Sequence, residues 1–380
     1  MPAPDIPLID LQAQYRSIKE EINRAIQRVL DHGQFILGPE VEALEHEFAT
    51  YCGTRHAVAV ASGTDALELS LRAFGIGPGD DVITTALSFF ATGSSIAALG
   101  ATPVFVDIDP VTSTIDPRKV EEAITPRTKA IVPVHLYGHP CEMQALVSIT
   151  QRARLILVED CAQATGASDG QTRVGAFGHV GAFSFYPTKN LGAYGDGGMV
   201  VTNDALVAQQ IRLLRMHGSR DRIRHEVVSR NSRLDEIQAA ILRVKLKYLD
   251  RWNQARRAHA RVYQQALSRQ RLPGVVLPQE RSGAYHVYHL YIVRVQQRAA
   301  VQKLLATQGV STQIHYELPL HLEPAFAKLG YRPGACPEAE QAVQEVLTLP
   351  LYPELSVQSV EWVALALGNA VNTTSQVRVE

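Results

Sequence analysis

Short apolar runs rich in β-branched residues alternate with longer helix-like segments through the first half of this 380-residue chain. Strands that are apolar on both faces are typical of a buried, mainly parallel sheet that is covered by helices. We therefore predict an α/β fold in which a large domain contains a mainly parallel, seven-stranded sheet between helices. The predicted strands lie at 56–61, 81–85, 103–108, 130–136, 155–158, 180–186 and 199–202.

Two amphipathic helices are predicted before the first strand. The first covers about 15–32, where isoleucine and valine recur at helical spacing, and Gly33 is placed to end it. The second begins at Pro39, because proline is favoured in the first turn of a helix.

A long helix is predicted at about 232–267. Ser232 and Asp235 form a candidate capping box at its start, and an apolar stripe continues along the rest of the segment. We interpret this helix as the connection between two domains.

A smaller α/β domain is predicted at the C-terminal end. Its elements are strands at 287–295 and 310–315 and helices at 299–308 and 338–347. We divide the chain into a large domain of residues 1–245 and a small domain of residues 246–380.

Composition narrows the classes of function. The 37 Lys and Arg residues balance 38 Asp and Glu residues, so the chain has no global field that would attract nucleic acid or an anionic membrane. The four cysteines form no paired motif, no apolar run is long enough to span a bilayer, and residues 1–5 do not resemble a signal peptide. We expect a soluble cytoplasmic protein with no nucleic-acid partner, no membrane partner and no metal site.

Lys189 is the most distinctive candidate for chemistry, because it follows the apolar run 180–186 and precedes a glycine-rich stretch. A lysine at the end of a buried strand is desolvated, which lowers the pKa of its ammonium and suits it to form a Schiff base. An ordinary surface lysine is the alternative for this residue taken alone.

Two further strand ends carry polar groups that could serve the same ligand. The segment Ser62-Gly63-Thr64-Asp65 joins a strand to a helix, and amides at such a helix start can bind phosphate, although a ligand-free turn has the same pattern. Glu159 and Asp160 end another strand, and one of the two carboxylates could keep a pyridine nitrogen protonated. A helix cap or an ion pair is the alternative for these carboxylates.

Two more residues extend this candidate site. Ser184 lies five positions before Lys189, within reach of the same phosphate, and Phe89 follows another strand, where its ring could stack on a planar ligand. Aromatic residues after strands more often belong to the core, so the role of Phe89 depends on the other residues.

The order of these motifs over nearly the whole chain resembles the DegT/StrS-type sugar aminotransferases. They are fold type I enzymes that depend on pyridoxal 5'-phosphate (PLP). The matching segments are 62–67, 159–163, 184–190, 195–198 and 231–235.

The resemblance implies a role for each matching residue. Lys189 would form the Schiff base, Asp160 would pair with the pyridinium nitrogen, Gln163 would lie near the ring hydroxyl and Phe89 would stack on the ring. The phosphate would be bound by Gly63, Thr64 and Ser184. The phosphate of the neighbouring subunit's cofactor would be reached by Asn231, which implies a homodimer with shared active sites.

The resemblance also implies the reaction. An amino acid donor, typically glutamate in this family, would leave its amine on the cofactor as pyridoxamine 5'-phosphate (PMP), and a keto nucleotide sugar would then accept it. Lys189 would move the proton in both halves, and the presence of lysine separates this chain from a dehydratase branch that carries histidine. The stretch 186–192 favours a 3-keto over a 4-keto sugar, linked to dTDP or UDP, in amino-sugar biosynthesis for a surface polysaccharide or a glycosylated metabolite.

Candidate substrate residues lie in three places. Tyr186 is close to the lysine, and a cation-rich segment at 215–225 could bind a diphosphate or could be paired with its own acidic residues. The third place is the stretch 315–321 of the small domain, which resembles the family's segment that lies over the sugar. The remaining candidates are His217, Arg220, His315, Tyr316 and His321.

Two other functions are alternatives. A cysteine desulfurase would need a mobile thiol, for which Cys336 in a predicted loop is the candidate. A PLP-binding regulatory protein without turnover would have no need of a lysine, an aspartate and phosphate ligands together.

Overall fold

The computed structural model of the protein describes residues 5–376. The chain contains twelve α-helices within that range. In order they are α1 Leu11–His32, α2 Pro39–Cys52, α3 Gly63–Ala73, α4 Phe90–Ala97, α5 Pro117–Glu122, α6 Met143–Ala153, α7 Ala205–Leu214, α8 Glu236–Leu246, α9 Leu249–Gln270, α10 Arg298–Thr307, α11 Pro337–Glu345 and α12 Val357–Gln376.

Thirteen strands are formed within the same residues. They are β1 His56–Val60, β2 Asp81–Thr85, β3 Thr102–Val106, β4 Thr128–Val132, β5 Ile156–Asp160, β6 Ser168–Asp169, β7 Thr172–Arg173, β8 Val180–Ser184, β9 Gly198–Thr202, β10 Val275–Val276, β11 Ala284–Tyr285, β12 Tyr291–Val295 and β13 Val346–Leu349.

The central sheet confirms the predicted fold class. Its seven strands have the order β1-β9-β8-β5-β4-β2-β3, and β9 alone runs antiparallel to the others. Every residue of β2, β8 and β9 is buried, as the apolar runs predicted. The carboxyl ends of β1, β2, β5 and β8 therefore meet at one edge of the sheet, where α/β proteins commonly bind ligands.

Separate apolar clusters cover the two faces of this sheet. On one face, Val58 and Val158 pack with Leu67 of α3 and Ile211 of α7. On the other, Phe48 of α2 packs against Phe183 and Phe185 with ring centroids 5.0 and 5.4 Å away. Both faces of the sheet are thus removed from water, which stabilises it by roughly 25 cal/mol for each Å² of apolar surface buried.

The segment predicted as one helix at 232–267 is two helices, α8 and α9, which are separated at Lys247 and Tyr248. The predicted capping box is also wrong. Ser232 lies outside α8, where its hydroxyl bonds to Asp65, and the side chain of Asp235 makes no capping hydrogen bond. The apolar stripe continues across the break because both helices bury a face at similar spacing, so the sequence pattern does not reveal it.

The C-terminal part has its own core around an antiparallel sheet of β10, β12 and β13. The strand predicted at 310–315 is only a pair of isolated bridges, at Val310 and Gln313. Ile6 pairs with Val310 and is buried in this C-terminal core, although the N-terminal residues were assigned to the large domain. The division at residue 245 stays a prediction.

A further apolar cluster joins the C-terminal part to the large sheet. Ala86 and Leu87, which follow β2, pack in one cluster with Leu320 and Phe326, and the Leu320 amide donates to the Ala86 carbonyl at 2.7 Å. This contact places the segment 315–321 over the carboxyl edge of the sheet. Among residues 5–376, no helix is both long and apolar enough to cross a membrane.

Candidate active site

Lys189 and Asp160 approach each other because β5 and β8 are parallel neighbours. Asp160 ends β5 opposite Ala182 of β8, and Lys189 lies in the loop that follows β8. Burial lowers the pKa of the Lys189 ammonium to about 8, and the negative charge of Asp160 opposes this shift. Lys189 therefore combines a desolvated amine with a nearby carboxylate, which matches its predicted chemistry.

A phosphate-sized cradle forms where α3 begins beside the end of β8. A Cβ atom on Gly63 would lie only 2.6 Å from the Ser184 Cβ, so glycine allows this close approach. The first amides of a helix have no intrahelical acceptor and face such a site together with the Ser184 hydroxyl. Thr64 is exposed at the same helix start. The structure thus brings together all three predicted phosphate ligands of this subunit.

Asp65 and Ser232 close one side of this cradle. The Ser232 hydroxyl donates to Asp65 Oδ2 at 2.7 Å and accepts from the Ala61 amide at 3.2 Å. Arg230 forms ion pairs with Asp65 and Glu68. Asn231 lies between these anchored residues, and its side chain is exposed. The structure thus holds Asn231 at the surface.

The two adjacent carboxylates at the end of β5 have different surroundings. Asp160 accepts from the Ala162 amide at 3.1 Å and from the Thr92 hydroxyl at 2.8 Å. Burial raises the pKa of Asp160, whereas these two hydrogen bonds and the Lys189 charge lower it. Asp160, and not Glu159, is thus the carboxylate that faces the lysine.

Glu159 is fully buried and accepts hydrogen bonds from backbone amides. Its carboxylate accepts from the amides of Gly175, Phe177 and Gly178 at 2.7 to 2.9 Å and lies 3.1 Å from His135 Nε2. Since His135 Nδ1 accepts from the Cys141 amide at 3.0 Å, its Nε2 carries the proton and donates to Glu159. Glu159, His135 and the neighbouring Cys161 lie close enough to hold a metal ion, but these hydrogen bonds already use the ligand atoms of the first two.

Gln163 is oriented from both ends of its amide. Its Oε1 accepts from the Tyr137 amide at 2.7 Å, and its Nε2 donates to the Tyr316 hydroxyl at 2.8 Å. The Tyr316 ring lies 5.9 Å from the Phe89 ring, and Phe89 is 56% exposed at the start of α4. Gln163, Phe89 and Tyr316 therefore form one side of the site, with an aromatic face left open.

His289 and Asn190 form a polar network beside the lysine that sequence reasoning missed. His289 Nδ1 lies 3.2 Å from Asn190 Oδ1, and the Asn190 amide donates to Asn253 of α9 at 2.8 Å. Burial, followed by the Lys189 charge, lowers the pKa of His289. Nothing in the sequence distinguishes His289 from the other histidines, because its neighbours in this network are distant along the chain.

The charge of Lys189 also affects the pKa of His315. Its Nδ1 lies 2.8 Å from the Thr348 hydroxyl, and burial together with the Lys189 charge lowers the pKa of His315 to about 4. The predicted residues His315 and Tyr316 thus lie on the same side of the site as Lys189. His321 does not contact these residues: it is buried, with Nε2 3.0 Å from Glu340.

Lys245 holds the loop that carries Lys189 and was also missed. Its ammonium donates to the Gly192 carbonyl at 2.5 Å and lies 4.5 Å from the centre of the Tyr194 ring. Burial lowers the pKa of Lys245 to about 7. On the other side of Lys189, Tyr186 is 54% exposed and leaves open surface for a ligand or another subunit.

The cation-rich segment is an exposed hairpin, closed by bridges between Met216 and Asn231 and between Ser219 and His225. We call residues 216–231 the basic hairpin. Arg220 pairs with Glu226 within the hairpin, whereas His217 is exposed at its base. In the single chain, Arg220 is therefore paired with an acidic residue of its own segment, as one of the two interpretations of this segment predicts.

Cys336 is not the mobile loop thiol that a desulfurase would need. It is the residue before α11 and is 2% exposed. Burial raises the pKa of its thiol to about 12, which disfavours the nucleophilic thiolate.

The comparison with known proteins agrees with this geometry. The model of the DegT/DnrJ/EryC1/StrS aminotransferase family matches residues 16–368. The chain belongs to this family. As a member, it is a PLP-dependent aminotransferase. This cofactor dependence agrees with the crystal structure of NtdA from Bacillus subtilis with bound PMP. NtdA is 34% identical to this chain with a TM-score of 0.89, and the match covers 98% of this chain and 85% of NtdA.

Curated relatives of this aminotransferase cover nearly the full chain. A pleiotropic regulatory protein of Geobacillus stearothermophilus is 50% identical, over 94% of this chain and 96% of its own. The dTDP-3-amino-3,4,6-trideoxy-alpha-D-glucose transaminase of Streptomyces venezuelae is 49% identical, over 93% and 92%. The UDP-N-acetyl-3-dehydro-alpha-D-glucosamine 3-aminotransferase of Acidithiobacillus ferrooxidans is 44% identical, over 95% and 97%.

The fold agrees with the same family. The crystal structure of S. venezuelae DesV is 47% identical, with a TM-score of 0.93 and coverage of 99% of both chains. The chemistry of the strand-end residues fits PLP: an amine of lowered pKa for the aldehyde, a helix start and a hydroxyl for the phosphate, and an open aromatic face for the ring.

Proposed function

We propose that this aminotransferase places an amino group on a keto carbon of a nucleotide-linked sugar, with C3 favoured over C4. The observation that carries the proposal is the likeness to two relatives named for a 3-amino or 3-dehydro sugar, at 49% and 44% identity over more than nine-tenths of the chain. One of these names contains dTDP and the other UDP, so both nucleotides stay in the proposal. Glutamate is the proposed donor.

Lys189 is the proposed base. PLP, when bound, supplies an aldehyde that holds the amine and a pyridine ring that withdraws electrons. With a pKa of about 8, Lys189 Nζ is close to half-neutral at mildly alkaline pH, so it can accept a proton from the substrate Cα and return it at the carbon that carried the cofactor's aldehyde. The same amine can serve both halves of the transfer, because each half is the other in reverse.

The other site residues hold the ring. Asp160 is proposed to pair with the ring nitrogen, since it is an ionisable carboxylate at the buried end of β5. Gln163 is proposed to donate to the ring hydroxyl, because the Tyr137 amide occupies its oxygen and its NH₂ group has a second proton besides the one donated to the Tyr316 hydroxyl. Gly63, Thr64 and Ser184 are proposed to bind the phosphate, and Phe89 to stack on the ring.

A homodimer with shared sites is part of the proposal. Asn231 is exposed, so its side chain is available to a second copy. Such a copy would also cover exposed apolar side chains. They are Phe35, Ile36, Tyr186, Val227 and Val228.

The decisive experiment starts from the enzyme in its PMP form. We would add a matched panel of dTDP- and UDP-linked 3-keto and 4-keto sugars and follow the visible absorbance of the cofactor. Recovery of the PLP spectrum by 3-keto sugars, and not by their 4-keto counterparts, is expected. Recovery by 4-keto sugars alone would contradict the preference for C3, and recovery by none would contradict the sugar as acceptor.

The name of the G. stearothermophilus relative favours a second candidate, a regulatory role. A regulatory protein without turnover predicts a cofactor spectrum that glutamate does not change. We expect glutamate to convert the PLP form to the PMP form, because lysine and aspartate are both in place for proton transfer.

A further inference from the structure

Two buried hydroxyl groups, of Ser88 and Thr92, lie beside Asp160. Thr92 of α4 donates from Oγ1 to Asp160 Oδ2 at 2.8 Å, and Ser88 Oγ lies 2.9 Å from Thr92 Oγ1. The exposed fractions of Ser88 and Thr92 are 3% and 1%, so water does not compete for these contacts.

The direction of these hydrogen bonds follows from the number of protons available. An ionised carboxylate only accepts, so the single hydroxyl proton of Thr92 is directed to Asp160. Ser88 must then donate to Thr92. The two residues form a relay that ends on one carboxylate oxygen, while the Ala162 amide donates to the other at 3.1 Å.

Thr92 differs from a neighbouring hydroxyl residue in the same helix. Ser95 donates to the Ala91 carbonyl at 2.7 Å, which is the usual arrangement for serine and threonine inside helices. Thr92 donates instead to a side chain 68 positions away in the chain. Its hydroxyl therefore does something other than satisfy its own helix.

We propose that Thr92, supported by Ser88, is a positioning residue that keeps Asp160 ionised and aimed at the ring nitrogen of the cofactor. The inference rests on the proposed pairing of Asp160 with that nitrogen. Hydrogen bonds to the charged form of a buried acid oppose the desolvation that would neutralise it. Without the Thr92 donor, the proton shared between ring nitrogen and carboxylate moves towards the carboxylate, and the ring withdraws electrons less strongly.

Other groups also act on Asp160. Lys189 stabilises its charge, whereas Cys161 and Tyr316 interact with it as groups that would be anionic if they lost a proton. None of these groups is altered by a change at Thr92. A shift in the protonation of Asp160 in a Thr92 variant therefore reports on the hydroxyl itself.

The test uses Thr92→Val, which keeps the shape of the side chain and removes the donor. Thr92→Ser keeps the hydroxyl, and Ser95→Ala removes a buried hydroxyl of the same helix that does not contact Asp160. Each holoenzyme would be loaded with ring-labelled ¹⁵N-PLP, and the ¹⁵N chemical shift would report the protonation of the nitrogen. Infrared difference spectra against Asp160→Asn would report the protonated carboxyl.

We expect Thr92→Val to show less protonated nitrogen and more protonated Asp160 than the wild type at the same pH, with both changes absent in Thr92→Ser and Ser95→Ala. Removing a hydrogen bond to a charged group should slow amine transfer from glutamate by about tenfold or more. Ser88→Ala should shift both signals in the same direction but by a smaller amount. This variant can replace Thr92→Val in the test if Thr92→Val folds poorly.

Two results would overturn the inference in distinguishable ways. If the nitrogen is protonated in the wild type, and both Thr92→Val and Ser88→Ala give wild-type signals, then Thr92 and Ser88 do not control the protonation of Asp160. The proposed function would be unaffected by that result. An unprotonated nitrogen in the wild type would remove the proposed pairing of Asp160 with the ring, and the inference with it.

Discussion

The carboxyl edge of the sheet and the basic hairpin contrast in how their polar groups are held. At the sheet edge, Asp160 and Ser184 are buried, and their directions are fixed by the strands that end there. In the hairpin, Arg220 and Glu226 are about half exposed and bond mainly to each other. The comparison teaches that the buried groups at the sheet edge are oriented within one chain, whereas the exposed groups of the hairpin would gain further contacts from the second copy in the proposed dimer.

The largest effect is expected at the sheet edge itself. Lys189→Ala should abolish turnover, because no other amine lies beside Asp160 in the described residues 5–376. Steady-state assays with glutamate and a keto nucleotide sugar would measure the loss, and circular dichroism would establish that the protein stays folded. Lys247→Ala, at an exposed lysine, is the control and should keep wild-type activity. An active Lys189→Ala enzyme would refute the assignment.

Asp160→Asn should lower the rate of amine transfer by about a hundredfold or more, since it removes a preorganised charge from a buried site. It should also lower the pKa of Lys189 below about 8, because the negative charge of Asp160 favours the ammonium form. The pH dependence of Lys189 trapping by an aldehyde and borohydride would measure this shift. Asp196→Asn, an exposed aspartate seven positions from Lys189, should leave it unchanged, and an upward shift in Asp160→Asn would contradict the electrostatic account.

The hairpin is tested by mixing variants. Asn231→Asp would place a negative charge against the phosphate of the partner's cofactor and should inactivate the enzyme. Co-expressed with Lys189→Ala, it should restore about a quarter of wild-type activity, because half of the random dimers are mixed and each mixed dimer has one intact site.

Lys189→Ala co-expressed with Asp160→Asn is the matched control for this mixture. Both residues come from one chain, so neither site of the mixed dimer is complete and no activity should return. Equal recovery in the two mixtures would contradict a shared site, and no recovery in either would show that Asn231 serves its own chain.

The smallest effect is expected within the hairpin. Arg220→Ala should change the free energy of unfolding by less than about 1 kcal/mol, because exposed ion pairs contribute little. The KM for the nucleotide sugar separates the two interpretations of the hairpin. A rise of about tenfold with kcat unchanged would assign Arg220 to the diphosphate, and an unchanged KM would keep it paired with Glu226. Glu226→Gln is the matched control, since it frees Arg220 without removing it.

The same contrast explains what the sequence could predict. The seven strands were predictable because a buried parallel strand needs consecutive apolar residues, and Lys189 was identifiable by its position after one of them. The break between α8 and α9 was not, because the apolar pattern does not change across Lys247 and Tyr248.

Within the site, the sequence predicted residues at strand ends and missed residues that reach them from elsewhere. Thr92 lies in the first turn of α4, where a hydroxyl has the same appearance in sequence whether it bonds to its own helix or to Asp160. Lys245 and His289 contact the lysine loop and its neighbour Asn190 from distant elements. His321 was predicted from a family-like stretch to contact the substrate; its buried side chain is bonded to Glu340, and the substrate contact stays a prediction.

The loop that carries Lys189 leaves the sheet at Ser184 and returns at Gly198, and these two residues face each other across β8 and β9. Its ends are fixed about 5 Å apart, so the entropic cost of closing this loop is met by the sheet before a ligand enters. We therefore expect the apoenzyme to bind PLP without a further entropic cost of closing this loop.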